Sequence, residues 1–368
     1  MSQALRERGH EVRVVAYHLS QGPAPSGVVA HRTPEASTYH RLEAGPSVRK
    51  LLQMDPLLVR TLHGVLDRHP VDIVHAHHVE GFAAGWLTRR TGVPVVYDAH
   101  TLLESELPHF VPVARAPARM LGRGLDRATA TRAHHVVTVT PAIRGAFVDG
   151  HGLPPARVST VPNGVEWRRF DRPRSQHDPP VVLFAGGLTA YQGVDALLRA
   201  MREVRAARPA ARLLLAVRDP DAFAPWRGLL DELGLTDTVD VRRAGLDDLP
   251  ALLSTAAVAV NPRPRADGQP LKLLNYMSAG VPIVSCRGSS HGLTPGARLQ
   301  SRLSQHQVDQ LVCLRQRVLS DGQGRRPVGE VAPPGRAVTR PKAGGENLAD
   351  DIGVALDLFQ AGGRAFQQ

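Results

Sequence analysis

Pro270-Leu271-Lys272-Leu273-Leu274-Asn275-Tyr276-Met277-Ser278-Ala279-Gly280 is the stretch on which the reading of the fold turns. Proline stands where the first helical position favours it, glycine stands where a helix stops, and the residues between carry helical spacing. An apolar run at 257–261 leads into it through an irregular loop, 262–269, and a further run, 283–286, follows it. That order is strand, loop, helix, strand, the unit of a parallel α/β sheet. A helix beginning at the carboxyl edge of such a sheet presents free N–H groups and the positive end of its dipole, which together suit a phosphate. Lys272 adds charge in the first turn, and Asn275, one turn on, is placed to reach a sugar or ribose hydroxyl. Leu271, Leu274 and Met277 are expected to pack on the sheet.

Outward from this stretch the same alternation continues. Strands are expected at 12–17, 71–77, 93–98, 135–140 and 158–161 in the first half, with helices at 47–68, 81–90 and 118–133. The second half repeats the theme, with strands at 181–185, 213–217, 239–242, 257–261 and 283–286 and helices at 194–207, 221–233, 249–254 and 271–279. A polar, proline-rich link at 167–180 separates the halves. The fold class is α/β, with two Rossmann-like domains whose parallel sheets face each other across a cleft. The expected division is 1–168, 169–295 and a divergent tail, 296–368, with a helix at 348–359.

A chain of 368 residues with 42% hydrophobic content is long enough for two cores. Two cysteines, Cys286 and Cys313, make no disulfide framework and have no metal-ligand spacing, which points to a reducing, cytoplasmic setting. No apolar run reaches the roughly 18 to 20 residues needed to span a bilayer, and the N-terminus lacks a signal-peptide core. The net charge of +11 favours anionic partners. Its arginines are scattered and no nucleic-acid-binding signature is present, so a nucleic-acid partner is not expected.

Five segments standing in order carry a family resemblance: Gly9-His10-Glu11-Val12; Asp72-Ile73-Val74-His75-Ala76-His77; Val161-Pro162-Asn163-Gly164-Val165 with Phe170; Phe184-Ala185-Gly186-Gly187-Leu188 followed by Tyr191-Gln192-Gly193; and Pro270 onward to Val284. Together they resemble the family-4 GT-B glycosyltransferases, in particular the branch reading Tyr-Gln-Gly and Leu-Leu-Asn-Tyr-Met. The resemblance implies retaining transfer of a sugar from a nucleoside diphosphate-sugar, bound mainly by the second domain, to an acceptor glycan or lipid held by the first. It implies no cofactor and no metal ion, because helix dipole and basic side chains carry the diphosphate charge. His100, closing Tyr97-Asp98-Ala99-His100, would lie under the donor sugar, and Lys272 would serve at the diphosphate. Gly186, Gly187, Gln192, Arg263, Asp267 and Asn275 would complete the donor site, with His77 and Glu104 on the acceptor side.

The departures from the family pattern are specific. Gly187 stands where the pattern has an arginine, Gln192 where it has a lysine, and Asp267 and Asn275 where it has two glutamates. Arg263 and Lys272 are then the nearest replacements for the missing positive charge. His75, His77 and His78 suggest a metal site, but in a strand His78 points away from the other two and no carboxylate or cysteine completes a ligand set nearby, so none is expected. The chain opens inside a helix, where a doubly wound sheet would first have a central strand and its glycine turn. A non-catalytic product and a nucleotide-sugar epimerase of the same fold are the alternatives. Arg115, Arg119 and Arg123 would suit peripheral contact with an anionic membrane at its inner face.

Overall fold

The computed structural model describes residues 1–290 apart from 20–23, 25, 37–38, 40–47, 79, 90, 112–113, 176–178, 267 and 287. The expectations for 296–368, the helix at 348–359 included, and that for Asp267 lie outside the described residues. The chain divides into two compact units, Met1–Pro162 and Asn163–Gln368. The link at 167–180 belongs to the second of them. Phe170 is buried in that unit's core, and the Arg174 guanidinium donates to the Gly280 carbonyl at 2.8 Å and to the Ala256 carbonyl.

The first unit holds strands β1 (Arg13–Ala16), β2 (Val29–Arg32), β3 (Val74–His77), β4 (Val95–Ala99), β5 (His135–Thr138) and β6 (Val158–Thr160). Its helices are α1 (Ser2–Glu7), α2 (Val48–Gln53), α3 (Asp55–Arg68), α4 (Glu80–Leu87), α5 (Leu103–Glu106), α6 (Arg115–Arg132) and α7 (Pro141–Gly145). All pairings are parallel, and they form two separate sheets, β1-β2 and β3-β4-β5-β6. The sequence expectation of one continuous first sheet therefore gives way to two pieces. β2 escaped the sequence reading because Val29-Ala30-His31-Arg32 has neither an apolar run nor a clean alternation.

A polar cluster joins the end of β1 to the helices. The Tyr17 hydroxyl sits 2.8 Å from Asp55 at the start of α3 and 2.9 Å from Glu80 at the start of α4. Lys50 of α2 donates to the same Glu80 carboxylate at 2.9 Å. The larger sheet packs Tyr97, Val136, Ile143, Phe147 and Val158 into one core, with the Tyr97 and Phe147 rings edge to face at 6.1 Å. Asp126 of α6 is fully buried and accepts from the backbone N–H groups of Leu103 and Glu104 at 3.1 and 3.0 Å. It thereby satisfies the free amides at the start of α5.

The second unit is a five-stranded parallel sheet of β7 (Val181–Ala185), β8 (Arg212–Val217), β9 (Val239–Arg243), β10 (Val258–Asn261) and β11 (Ile283–Ser285), in the order β11-β10-β7-β8-β9. Helices α8 (Val194–Ala207), α9 (Arg227–Glu232), α10 (Leu249–Thr255) and α11 (Leu271–Ser278) cover it. Both faces are buried: Val182 and Phe184 of β7 point into one core, and Leu183 and Ala185 into the other. That is why these strands read as unbroken apolar runs. The helix expected over 221–233 is split into a 3-10 turn, Pro220–Trp226, and α9, because Pro225 cannot donate within it. Strand order reverses between β7 and β10, and the crevice outside the carboxyl ends there is where an open α/β sheet takes its ligand.

α11 corrects the sequence reading in one respect. Leu271, expected on the sheet, is 56% exposed, and Leu274 and Met277 are only partly buried. The buried positions are Leu273, Tyr276 and Ala279. The phase is set by a polar group: the Tyr276 hydroxyl, wholly enclosed, accepts from the Ala185 N–H at the end of β7 at 2.9 Å. This rotation brings Lys272 round toward the end of β7.

Substituting Asp126→Ala leaves two buried N–H groups without an acceptor. An unfolding free energy lower by about 3 kcal/mol is expected, from roughly 1–3 kcal/mol per orphaned donor, and urea denaturation of the full chain measures it.

Candidate functional site

At the reversal of strand order in the second unit, the chain leaves β7 through Gly186, whose φ of 153° and close neighbour exclude a side chain: a Cβ there would meet the Lys272 Nζ at 3.0 Å. Gly193, at φ 75°, lies so close to the Pro262 carbonyl that a Cβ would stand 2.3 Å from its oxygen. These two glycines let the turn after β7 and the loop after β10 close on each other. The loop itself is fastened from below. Asn261, fully buried at the end of β10, donates to Ser285 at 3.0 Å and Ser289 at 2.9 Å, and Ser289 donates to the Arg263 carbonyl at 2.6 Å. Gln269, just ahead of α11, accepts from the backbone N–H of Asn163 at 2.9 Å, so the Asn163-Gly164 turn is tied to this loop.

Lys272 lies at the centre of this edge. Its ammonium stands 4.3 Å from the centroid of the Phe184 ring and donates to the Gln192 side-chain oxygen at 2.9 Å. No carboxylate forms an ion pair with it among the described residues. Burial, reinforced by the charge of Arg263, pushes the Lys272 amine down to about 7. Arg263 is held over the Tyr191 ring at 4.8 Å and donates to the Arg265 carbonyl at 2.8 Å. Gly186, Gln192, Arg263 and Lys272, singled out in the sequence, thus come together. Gly187 is exposed, and a Cβ there would meet nothing within 4 Å. Asn275 is partly buried one turn along α11. Phe184, Tyr191 and Tyr276 were not foreseen as parts of this edge, since a ring in an apolar run reads as core.

The carboxyl edge of β3 and β4 in the first unit carries a second constellation. Parallel pairing sets His77 opposite Asp98, with His75 two residues before on β3 and His100 just past the end of β4. With a side-chain period of two, His75, His77 and Asp98 share a face, and His100 meets them at the strand end. His75 Nε2 lies 3.0 Å from Asp98 Oδ2, and His77 Nδ1 lies 3.0 Å from His100 Nε2 and 3.5 Å from Asp98 Oδ2. The carboxylate that the sequence reading did not find beside the histidines is therefore supplied by the neighbouring strand. His78 is also nearer than expected, because β3 ends at His77. His78 then takes a left-handed φ of 52°, and its ring lies 5.0 Å from that of His100. Burial pushes the His77 and His78 imidazoles below the ordinary histidine value. For Asp98, burial pushes upward, but the hydrogen bond from His75 and the charges of His100 and His77 outweigh it and hold the carboxyl below its usual range. Glu104 stands apart on α5, 3.4 Å from Arg119 and 3.9 Å from Arg123.

With this geometry in view, comparison with known proteins is direct. The sequence model of Glycosyltransferase Family 4 matches residues 1–169, and that of the Glycosyl transferases group 1 matches 179–300. A D-inositol 3-phosphate glycosyltransferase of Segniliparus rotundus is 28% identical over 78% of this chain and 67% of its own length. The MMP alpha-(1->4)-mannosyltransferase of Mycolicibacterium hassiacum is 24% identical over 90% of this chain and 86% of its own. Among solved structures, WaaG, a glycosyltransferase involved in lipopolysaccharide biosynthesis, superposes with a TM-score of 0.59 at 17% identity, covering 99% of this chain and 92% of that one. Anabaena HepE, solved with UDP and glucose, gives a TM-score of 0.56 at 14% identity over 95% of each chain. The two parallel-sheet units define a GT-B glycosyltransferase fold. The two models follow one another along most of the chain, and the chain belongs to the family-4 glycosyltransferases.

The low Lys272 value sets a pH dependence with a definite sign. The amine is charged below about 7 and increasingly neutral above it, so a nucleoside diphosphate-sugar held by Lys272, whose own charge is constant here, would bind more weakly as pH rises from about 6 to 8. Near pH 8 binding is accompanied by proton uptake. Calorimetric titration in buffers of different ionisation enthalpy measures both, and Lys272→Met flattens the dependence.

Proposed function

We propose that this chain transfers a sugar, with retention of anomeric configuration, from a nucleoside diphosphate-sugar to a hydroxyl of a glycolipid or envelope polysaccharide. The observation that carries the reading is the Lys272 ammonium, drawn in at the reversal of strand order beside a neutral amide and an aromatic ring, with no carboxylate paired to it among the described residues. A buried charge without a counter-charge is costly, and an anionic ligand removes the cost. A diphosphate resting on the start of α11 and the Gly186-Gly187 turn would meet helix N–H groups, Lys272 and Arg263 together. With that charge in place the reading needs no metal ion at the diphosphate.

In the proposed reaction the bond between the anomeric carbon and the diphosphate oxygen breaks, and the acceptor oxygen bonds to that carbon on the same face. The acceptor proton passes to the departing diphosphate, so no protein nucleophile is required. His100 is assigned to the donor sugar, Gln192, Asp267 and Asn275 to the donor, and His77 and Glu104 to the acceptor side. A hydroxyl acceptor is supported by the relatives' names, which include glycosylation of D-inositol 3-phosphate. Peripheral contact with an anionic membrane is supported by the net charge of +11 and by the exposed Arg119 and Arg123 on α6. Among the described residues no helix is long and apolar enough to cross a membrane.

Two measurements test the reading. Lys272→Met should weaken nucleoside diphosphate binding about 10- to 100-fold, the range of one to two charge-assisted hydrogen bonds, in a thermal-shift or calorimetric titration with a panel of nucleotides. Undiminished affinity would overturn the seat assigned to the diphosphate. Proton NMR of the first product formed should show the anomeric configuration of the donor, and the opposite configuration would overturn retention.

A further inference from the structure

We infer that His75, His77 and Asp98, with His100 at the edge of the set, form a binding site for a zinc-class divalent ion, and that its occupancy withdraws His77 and its neighbour His100 from sugar transfer. The second half rests on the roles given above to those two residues.

The geometry is that of a ligand set without its ion. Zinc bonds imidazole nitrogen and carboxylate oxygen at about 2.0–2.2 Å in a tetrahedron, so neighbouring ligand atoms stand about 3.4 Å apart. The printed separations here are 3.0 Å for His75 Nε2 to Asp98 Oδ2, 3.0 Å for His77 Nδ1 to His100 Nε2, 3.5 Å for His77 Nδ1 to Asp98 Oδ2, and 3.6 Å for His100 Nε2 to Asp98 Oδ1. The ligand atoms of His75, His77 and Asp98 all lie within 4.8 Å of one another. Two adjacent strands hold them, which fixes their spacing better than a loop would.

A second observation comes from the carboxylate. Asp98 is only 8% exposed, and its Oδ1 is shielded from solvent with no hydrogen-bond partner among the described residues while it lies 3.6 Å from His100 Nε2. A buried carboxylate oxygen left unpartnered is destabilising, and a cation removes the deficit. Access is open, since the His77 side chain is 46% exposed. Two imidazoles and one carboxylate, leaving a fourth position open, suit zinc and its first-row neighbours, whereas magnesium and calcium require mostly oxygen ligands. These residues belong to the first unit of the chain, whereas the residues proposed for the diphosphate belong to the second.

The test uses the full chain, stripped with a chelator, and zinc chloride alone in competition with a chromophoric chelator. One equivalent per chain is expected, with a Kd of about 1 µM or tighter. Cobalt substituted at the site should give the intense visible absorption of a four-coordinate complex. Because the chain has 17 histidines, location is read from variants. His75→Gln and Asp98→Asn should each weaken zinc binding at least about tenfold while His109→Gln does not, with circular dichroism melts confirming that each variant is folded. Failure to take up one equivalent, or affinity unchanged in both folded variants, overturns the site. For the second half, zinc should inhibit transfer in the wild type and His75→Gln should raise the inhibitory concentration about tenfold. Zinc uptake with undiminished transfer overturns the inhibitory role. Uptake is measured without donor or acceptor, so its failure is distinguishable from failure of the assigned transfer roles.

Discussion

A lysine ammonium that pairs with no carboxylate among the described residues is the constraint around which the second unit is arranged. Lys272 lies close against Gly186, where a Cβ would stand 3.0 Å from its Nζ, and Tyr276 turns α11 so that residue 272 points toward the end of β7. Gln192 offers it a neutral oxygen, and Phe184 offers it the face of a ring. These groups gather at the carboxyl edge of the sheet. The sheet topology therefore decides where the charge is stored, and local chemistry decides what surrounds it.

The two units solve the same topological problem with different chemistry. Both gather polar side chains at the carboxyl edge of a parallel sheet, where strand ends leave backbone groups free and helices begin. In the second unit the gathered charge is cationic. In the first it is a set of imidazoles around one carboxylate, positioned by the pairing of β3 with β4. The second arrangement leans on its core, through the buried Phe184 and Tyr276, whereas the first depends on strand register.

Much of this was legible in the sequence, and the limits have physical causes. The strands of the second unit are buried on both faces, which leaves apolar runs that a reader can hardly miss. The grouping of Gly186, Gln192, Arg263 and Lys272 followed from motif order, since each stands just past a strand end. The phase of α11 was misread because tyrosine can serve as core and as hydrogen-bonding group at once, and only the Ala185 amide reveals which. The β1-β2 pair was half seen, as β2 lacks periodicity. Asp98 was missed as a partner for the histidines because cross-strand register is not written in spacing along one chain. His78 was misplaced because a residue following a strand need not keep its extended backbone.

The low basicity of Lys272 also has a consequence for chemical reactivity. An amine near 7 is substantially unprotonated at neutral pH, and the free amine is a nucleophile where the ammonium is not. The chain contains only three lysines, Lys50, Lys272 and Lys342, and Lys50 is engaged with the Glu80 carboxylate. A small acylating or carbonyl reagent at neutral pH would thus meet in Lys272 a more nucleophilic side chain than an ordinary lysine, at the edge proposed for the donor.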